Sequence, residues 1–275
     1  LYSQEPKHID SYDPSRLKIF KRGGVAKPAS SLLPPVAAGY LNHFDEFIEK
    51  SEMELDDLRQ HSDPIKPYWD PKLRGSKRLL LGLIKKLWAR GLVTFRRAIK
   101  ARIGIFFVKK KVVDGVQWQR LIVDARQPNA CHRAPPATRL ASPSCMADID
   151  LSDERLQCSG FGGIAGVKLE LCGDELDVQD CYYQFEIKEL ASWFGIDELF
   201  SISELRENGI YFDYIYDDET HTHVPITVHD TLYCCISGMS MGWSWGLYFA
   251  NESVCHMAAS APGGSTSSAL RERTP

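Results

Sequence analysis

The chain has 275 residues, 44% of them hydrophobic, which is ordinary for a globular protein and enough for one large domain or two small ones. A membrane-spanning helix is not expected: the longest apolar run, Leu79 to Leu83 with Ile84, is broken by Gly82 and flanked by Lys77, Arg78, Lys85 and Lys86, far short of the roughly 20 residues a bilayer requires. A formal net charge of −3 conceals a segregation: residues 72–120 carry fifteen Lys or Arg against the single acid Asp114, and residues 147–230 carry twenty Asp or Glu against Arg155, Lys168, Lys188 and Arg206. Such a split fits a lobe that holds a polyanion beside one that concentrates cations, or two faces that attract one another.

In chain order, residues 1–40 hold Pro6, Pro14, Pro28, Pro34 and Pro35 among Ser pairs, with little periodicity and no apolar secretory stretch at Leu1 to Lys7. They predict a flexible N-terminal arm and an intracellular setting, cytoplasmic or nuclear. From Phe44 the residues Phe47, Ile48, Leu55 and Leu58 approach helical spacing and predict one helix ending before Pro64. A second, clearer helix is expected from the apolar stripe Leu80, Leu83, Ile84, Leu87 and Trp88, with Lys and Arg on the other face and Gly91 at the C-terminal cap. The period then changes. Residues 103–108 and 119–123 are short β-rich runs around Asp114-Gly115, which predicts a hairpin over 103–123.

Residues 141–175 read as a loop-rich connector with a short strand at 167–171, followed by a strand at 175–178 and a new element beginning at Asp180. A second hairpin is expected from Ile210 to Tyr216 and His223 to Val228 around Asp217, Asp218, Glu219 and Thr220. Residues 240–257 are aromatic and helix-compatible, and 258–275 form a Gly, Ser and Thr-rich tail expected to be disordered. The eight cysteines include no CxxC pair, and the adjacent Cys234 and Cys235 are wrongly spaced for a shared zinc ion, so reduced thiols are expected. The fold class expected from this order is α+β, an antiparallel sheet with packed helices and flexible termini.

Chemistry concentrates in three segments. In Leu176-Asp177-Val178-Gln179-Asp180-Cys181-Tyr182-Tyr183-Gln184-Phe185, a carboxylate ends an apolar strand and another follows three residues on. A hard divalent cation takes such oxygen ligands, although Asp180 capping the next element and a solvated Asp177 would give the same pattern. The hairpin carries Val108-Lys109-Lys110-Lys111 and then Trp118-Gln119-Arg120-Leu121-Ile122-Val123-Asp124-Ala125-Arg126-Gln127-Pro128-Asn129. The third is Gly238-Met239-Ser240-Met241-Gly242-Trp243-Ser244-Trp245.

In this order the three segments resemble the fingers and front palm of reverse transcriptases of retroviruses and retroelements. The family shows V-K-K-K then W-R-x-x-V-D-x-R-x-x-N, L-D-V-x-D-A-Y-Y-x-I, and P-x-G-x-x-x-S-P. The resemblance implies that residues 41–140 are fingers-like and residues 141–257 a partial palm with an insertion between the second and third matches. It implies that Lys110 and Arg120 hold the triphosphate of an incoming nucleotide and that Asp177, with Val178 beside it, is the catalytic site for Mg2+ or Mn2+. Asp180 joins the nucleotide site, Tyr182 excludes a 2′-hydroxyl, and Met241 and Gly242 lie under the template and base. The partners implied are an RNA/DNA template-primer duplex and deoxynucleoside triphosphates, with no membrane. The chain departs from the family at Trp245 and Gly246, where the usual small residue and proline are absent.

The family's Y-x-D-D turn is not seen after Met257. Two metal ions need more ligands than Asp177 offers, so this reading expects no primer extension by the chain alone. Tyr214-Ile215-Tyr216-Asp217-Asp218 has the shape of that turn but precedes the third match, which makes Asp217 and Asp218 a second-choice metal site. Two other readings stand beside the polymerase: a non-catalytic nucleic-acid-binding remnant, and a metal-dependent hydrolase using Asp177 with His221, His223 and His229.

Overall fold

The computed structural model describes residues 9–17, 19, 26–138, 140, 178 and 180–260. The connector at 141–175, the first part of the strand expected at 175–178 with Asp177, and the tail beyond Ser260 lie outside the described residues; Val178 is described and is not in a strand. The architecture is α+β: a six-stranded, mostly antiparallel sheet with helices packed on it. No described helix is long and apolar enough to cross a membrane.

The sheet is built around a long strand, β4 (Arg102–Val113), whose first two residues pair in parallel with β7 (Gly195–Ser201). Farther along, β4 pairs antiparallel with β5 (Val116–Asp124) on one edge and with the short β1 (Ile9–Asp10) on the other. The chain turns from β4 to β5 at Asp114 and Gly115, both with positive φ of 51° and 75°, the geometry of the two-residue turn expected there. On the other side of β7 lie β10 (Thr231–Ile236) and then β3 (Val93–Arg96), both antiparallel to their neighbours. The inward side chains Ile103, Ile105, Phe107, Ile196, Phe200, Leu232 and Cys234 are fully buried in one continuous core.

Helix α5 (Lys77–Trp88) covers this core with Leu80, Leu81, Leu83, Ile84 and Leu87 buried, and Ser76 caps its first turn by accepting from Leu79 N–H. It ends as expected at Gly91. With φ +64°, Gly91 donates to Trp88 O, and the next residue, Leu92, donates to Leu87 O, a paired closure that satisfies the last carbonyls.

Four sequence expectations are corrected. The segment expected as a flexible arm is packed where it is described: Tyr12 stacks on Phe107 at 4.7 Å between centroids and its N–H donates to the buried Asp70, while Leu17, Ala29, Leu33 and Ala37 are buried. These contacts are long-range and aperiodic, so no local pattern announces them. Pro35 opens α1 (Pro35–Asn42), a position where the missing N–H is harmless. Second, the single helix expected from Phe44 is two, α2 (Phe44–Phe47) and α3 (Glu52–His61), because Ser51 and Glu54 form a capping box that starts a new helix.

Third, the interval read as an insertion supplies two inner strands, β7 and β10, and the short helix α7 (Ile202–Glu207) follows β7. Two ladders stand apart from that sheet: β8 (Tyr214–Asp217) with β9 (Thr222–Pro225), the second hairpin expected, and the short parallel pair β2 (Lys27–Pro28) with β6 (Phe185–Glu186). Fourth, the last helix, α8 (Ser244–Ser260), runs three residues into the segment assigned to the disordered tail. The remaining helical pieces are α4 (Pro71–Arg74) and α6 (Arg126–Cys131), the latter directly after β5.

Much of the charge segregation is resolved inside the fold. Lys77 pairs with Glu204 at 2.7 Å, Arg96 with Asp218 at 3.1 Å, Arg97 with Asp230 at 3.0 Å and Arg102 with Asp197 at 3.1 Å. The basic stretch and the acidic stretch therefore hold each other, as the alternative reading of the charge pattern expects.

Candidate functional site

The β4–β5 ladder carries the first two site residues. Val108 pairs with Arg120, and Lys109 with Gln119. Directly after Lys109 the register slips: the next pair is Val112 with Gln117, so Lys110 and Lys111 oppose the single residue Trp118. This β-bulge disturbs the ladder at Lys110, the kind of local kink that re-aims a side chain. Lys109, Lys110 and Arg120 are exposed, and none lies within ion-pair distance of a carboxylate among the described residues.

Across from them the chain re-enters at Val178 and Asp180. Asp180 adopts a left-handed backbone (φ 49°, ψ 40°) and precedes a 3-10 turn at Cys181–Gln184, without capping it through its side chain. The capping alternative for Asp180 is thus not realised. The hairpin, the turn and the loop before α8 enclose a cavity of about 450 Å³ lined by Lys110, Gln119, Arg120, Val178, Asp180, Cys181, Tyr182, Tyr183 and Met241, with Leu17, Ile19, Leu87, Leu92 and Leu121 as its apolar wall. All of the expected nucleotide-binding residues except Gly242 line it. Burial raises the Tyr183 hydroxyl's pKa, with the Asp180 charge adding and Arg120 opposing, and burial also raises that of Tyr182. Both rings are therefore neutral hydrogen-bonding walls.

Gly242 has a packing role. A Cβ there would collide with the carbonyl oxygen of Val123, so only a bare backbone lets this loop close against β5. Asn129, at the end of the hairpin string, locks the approach: its Nδ2 donates to Gly242 O at 2.8 Å and its Oδ1 accepts from Ser244 N–H at 2.9 Å, satisfying a free amide at the start of α8. Trp243 Nε1 donates to His132 Nδ1 at 3.0 Å, and Trp245 Nε1 donates to Arg133 O at 2.8 Å. The Tyr182 ring lies against Gly246, so the position where the chain departs from the family's proline is where the tyrosine packs. Asp124 and Arg126 pair at 2.6 Å, and Asp124 also accepts from Tyr68 N–H at 2.6 Å.

Sequence reasoning missed Asn129 as the clamp, although it closes the quoted string, and missed Gln119 and Tyr183 as lining residues. Gln119 is signalled only by being a polar residue at an inward strand position; it is 1% exposed and bonds Ser11 O and Asp13 N–H.

Asp177 lies outside the described residues, and its neighbour Val178 lines the cavity. Among the described residues no three His, Cys, Asp or Glu side chains come together to hold a metal ion, and Asp180 is the one described carboxylate at the cavity.

The second-choice pair is engaged elsewhere. Asp217 Oδ1 accepts from Glu219 N–H, Thr220 N–H and Thr220 Oγ1, closing the β8–β9 turn, and those bonds hold its carboxyl below the usual range. Asp218 Oδ2 lies 3.1 Å from Nε of the buried Arg96, an ion pair whose angle falls short of a hydrogen bond, and Oδ1 accepts from Ser192 Oγ at 3.2 Å. His221 and His223 flank Tyr216 at 6.3 and 5.6 Å between centroids, so these histidines pack against a ring. No family model matches the chain, and no curated protein matches it.

Proposed function

We propose that the chain is a reverse-transcriptase-like unit whose cavity at Lys110 and Arg120 receives the triphosphate of a deoxynucleotide for template-directed nucleotidyl transfer. The observation that carries this reading is convergence: residues drawn from three separate segments, Lys110, Arg120, Asp180, Tyr182 and Met241, line one cavity, and its two cations have no ion-pair partner among the described residues. An ammonium and a guanidinium facing one space suit a polyphosphate, which spreads charge over many oxygens. Asp177, with the main chain at Val178, is the proposed holder of Mg2+ or Mn2+, which would neutralise the same phosphates. In this reading Tyr182, whose ring lies against Gly246 and lines the cavity, closes its sugar side.

The test is equilibrium binding of a deoxynucleoside triphosphate and its ribonucleotide counterpart. Wild type should prefer the deoxy form, and Tyr182→Ala should narrow the preference. Equal binding of both sugars by wild type would remove the assigned role of Tyr182. If triphosphate does not bind while RNA/DNA duplex does, the non-catalytic remnant becomes the better reading.

A further inference from the structure

Two larger cavities, of about 650 and 610 Å³, lie apart from the nucleotide cavity and share none of its lining. Both are lined by Glu49, Lys100 and Trp193, so they are two halves of one groove crossed by the Glu49–Lys100 pair. The floor is apolar and aromatic: Phe44, Ile187, Leu190 and Trp193 in the larger half, Leu55, Leu58, Pro64 and Ile65 in the smaller. The walls are acidic. Asp45, Glu49, Glu186, Glu189 and Asp218 line the larger half; Glu49 pairs with Lys100, Glu186 with Lys188 and Asp218 with Arg96, so Asp45 and Glu189 are the carboxylates left for a ligand. Asp45 and Glu189 have no ion-pair partner among the described residues.

We propose that this groove docks an extended, lysine- or arginine-bearing peptide of a protein partner, its apolar side chains on the floor and its cations on the carboxylate walls. The chain's own Lys100 shows the mode of seating: its ammonium stands 5.0 Å from the centroid of Trp193 and 3.3 Å from Glu49 Oε2. A second base does the same beneath the wall, where the Arg96 guanidinium lies 5.0 Å from the Tyr216 centroid beside Asp218. A cation over a ring with a carboxylate alongside is favourable in a partly dry site. Carboxylate walls repel phosphate, which disfavours nucleic acid as the occupant. A bare metal ion is disfavoured because no described trio of ligands converges, and the apolar floor calls for an apolar body. Two walls of one sign also give the encounter its direction, since complementary charge steers association. The proposal is independent of the polymerase reading.

The experiment is fluorescence anisotropy with labelled Leu-Lys-Gly-Leu-Arg-Gly-Leu-Lys amide at low salt, followed by spermine competition. Asp45→Lys with Glu189→Lys should weaken binding about tenfold or more and leave the protein folded, because neither side chain has an ion-pair partner to lose among the described residues. The milder Asp45→Asn with Glu189→Gln should weaken it less and in the same direction. Glu207→Lys, at the exposed end of α7, should change nothing, spermine should fail to displace the peptide, and triphosphate binding should be the same in all variants. Unchanged peptide affinity in both groove variants would overturn the proposal. So would an equal loss on Glu207→Lys, displacement by spermine, or self-association of the wild-type chain that the groove variants abolish.

Discussion

The β4–β5 and β8–β9 hairpins look alike in sequence, each an apolar pair of strands with charge near an Asp-containing turn, and the fold treats their charges in opposite ways. In β8–β9 the aspartates are engaged: Asp217 closes its turn through Thr220 and Glu219, and Asp218 meets the buried Arg96. In β4–β5, Lys110 and Arg120 border one cavity and neither is within ion-pair distance of a described carboxylate. The lesson is that a charged residue's type and spacing do not tell whether it serves the fold or a ligand. What tells is whether the fold already neutralises it.

The comparison is broken most forcefully at Arg96, which also donates to Lys188 O at 2.5 Å and to Phe95 O at 3.1 Å. Arg96→Met should cost about 3 kcal/mol in urea unfolding, because it strips a buried hydrogen-bonded cation and leaves Asp218 unpaired. A loss near zero would mean the β8–β9 charges are not structural.

The next largest effect is a pH dependence set by His132, a buried ring between Trp193 and Trp243. Burial, with the charges of Lys100 and Lys50 adding, lowers its pKa from 6.5 to about 3. A depressed folded-state value means stability is full above pH 6.5 and is lost as pH falls from there toward about 3. The loss is about 1.4 kcal/mol per unit, hence about 2 kcal/mol at pH 5, and His132→Phe should show a flatter profile between pH 7 and pH 5. Equal slopes would place the acid sensitivity elsewhere.

Asn129→Ala should cost about 1–2 kcal/mol by removing both bonds to the Gly242–Ser244 loop, and should weaken triphosphate binding as Met241 loses its support. The smallest stability effect is expected in β4–β5 itself: Lys110→Ala and Arg120→Ala should each stay within about 0.5 kcal/mol of wild type. A larger loss for either would show that these cations do serve the fold.

Local pattern carried the elements whose periods are clean: the stripe of α5, the Asp114-Gly115 hairpin, the second hairpin and the aromatic helix α8 were legible from spacing alone. It failed where tertiary pairing decides. The strand β3 is four residues long and β10 is a nearly continuous apolar run, Leu232 to Ile236, which periodicity cannot separate from a buried helix, while β7 carries Asp197 and Glu198 in its middle and shows no clean alternation. Tyr12 and Leu17 belong to the core through partners far along the chain. At the site, the lining positions Lys110, Arg120, Asp180, Tyr182 and Met241 were legible because each sits in a quoted string. The clamp by Asn129 and the packing of Tyr182 on Gly246 were not, since both depend on the approach of segments that sequence order keeps apart.

The most direct measurement of the central claim, that Lys110 and Arg120 form a polyphosphate-binding pair, is triphosphate affinity at several salt concentrations for wild type and for Lys110→Ala with Arg120→Ala. The account predicts micromolar-range binding in wild type, at least about tenfold weaker in the double variant, with a flatter dependence on salt and an unchanged unfolding midpoint. The same affinity and the same salt slope in both proteins would contradict it.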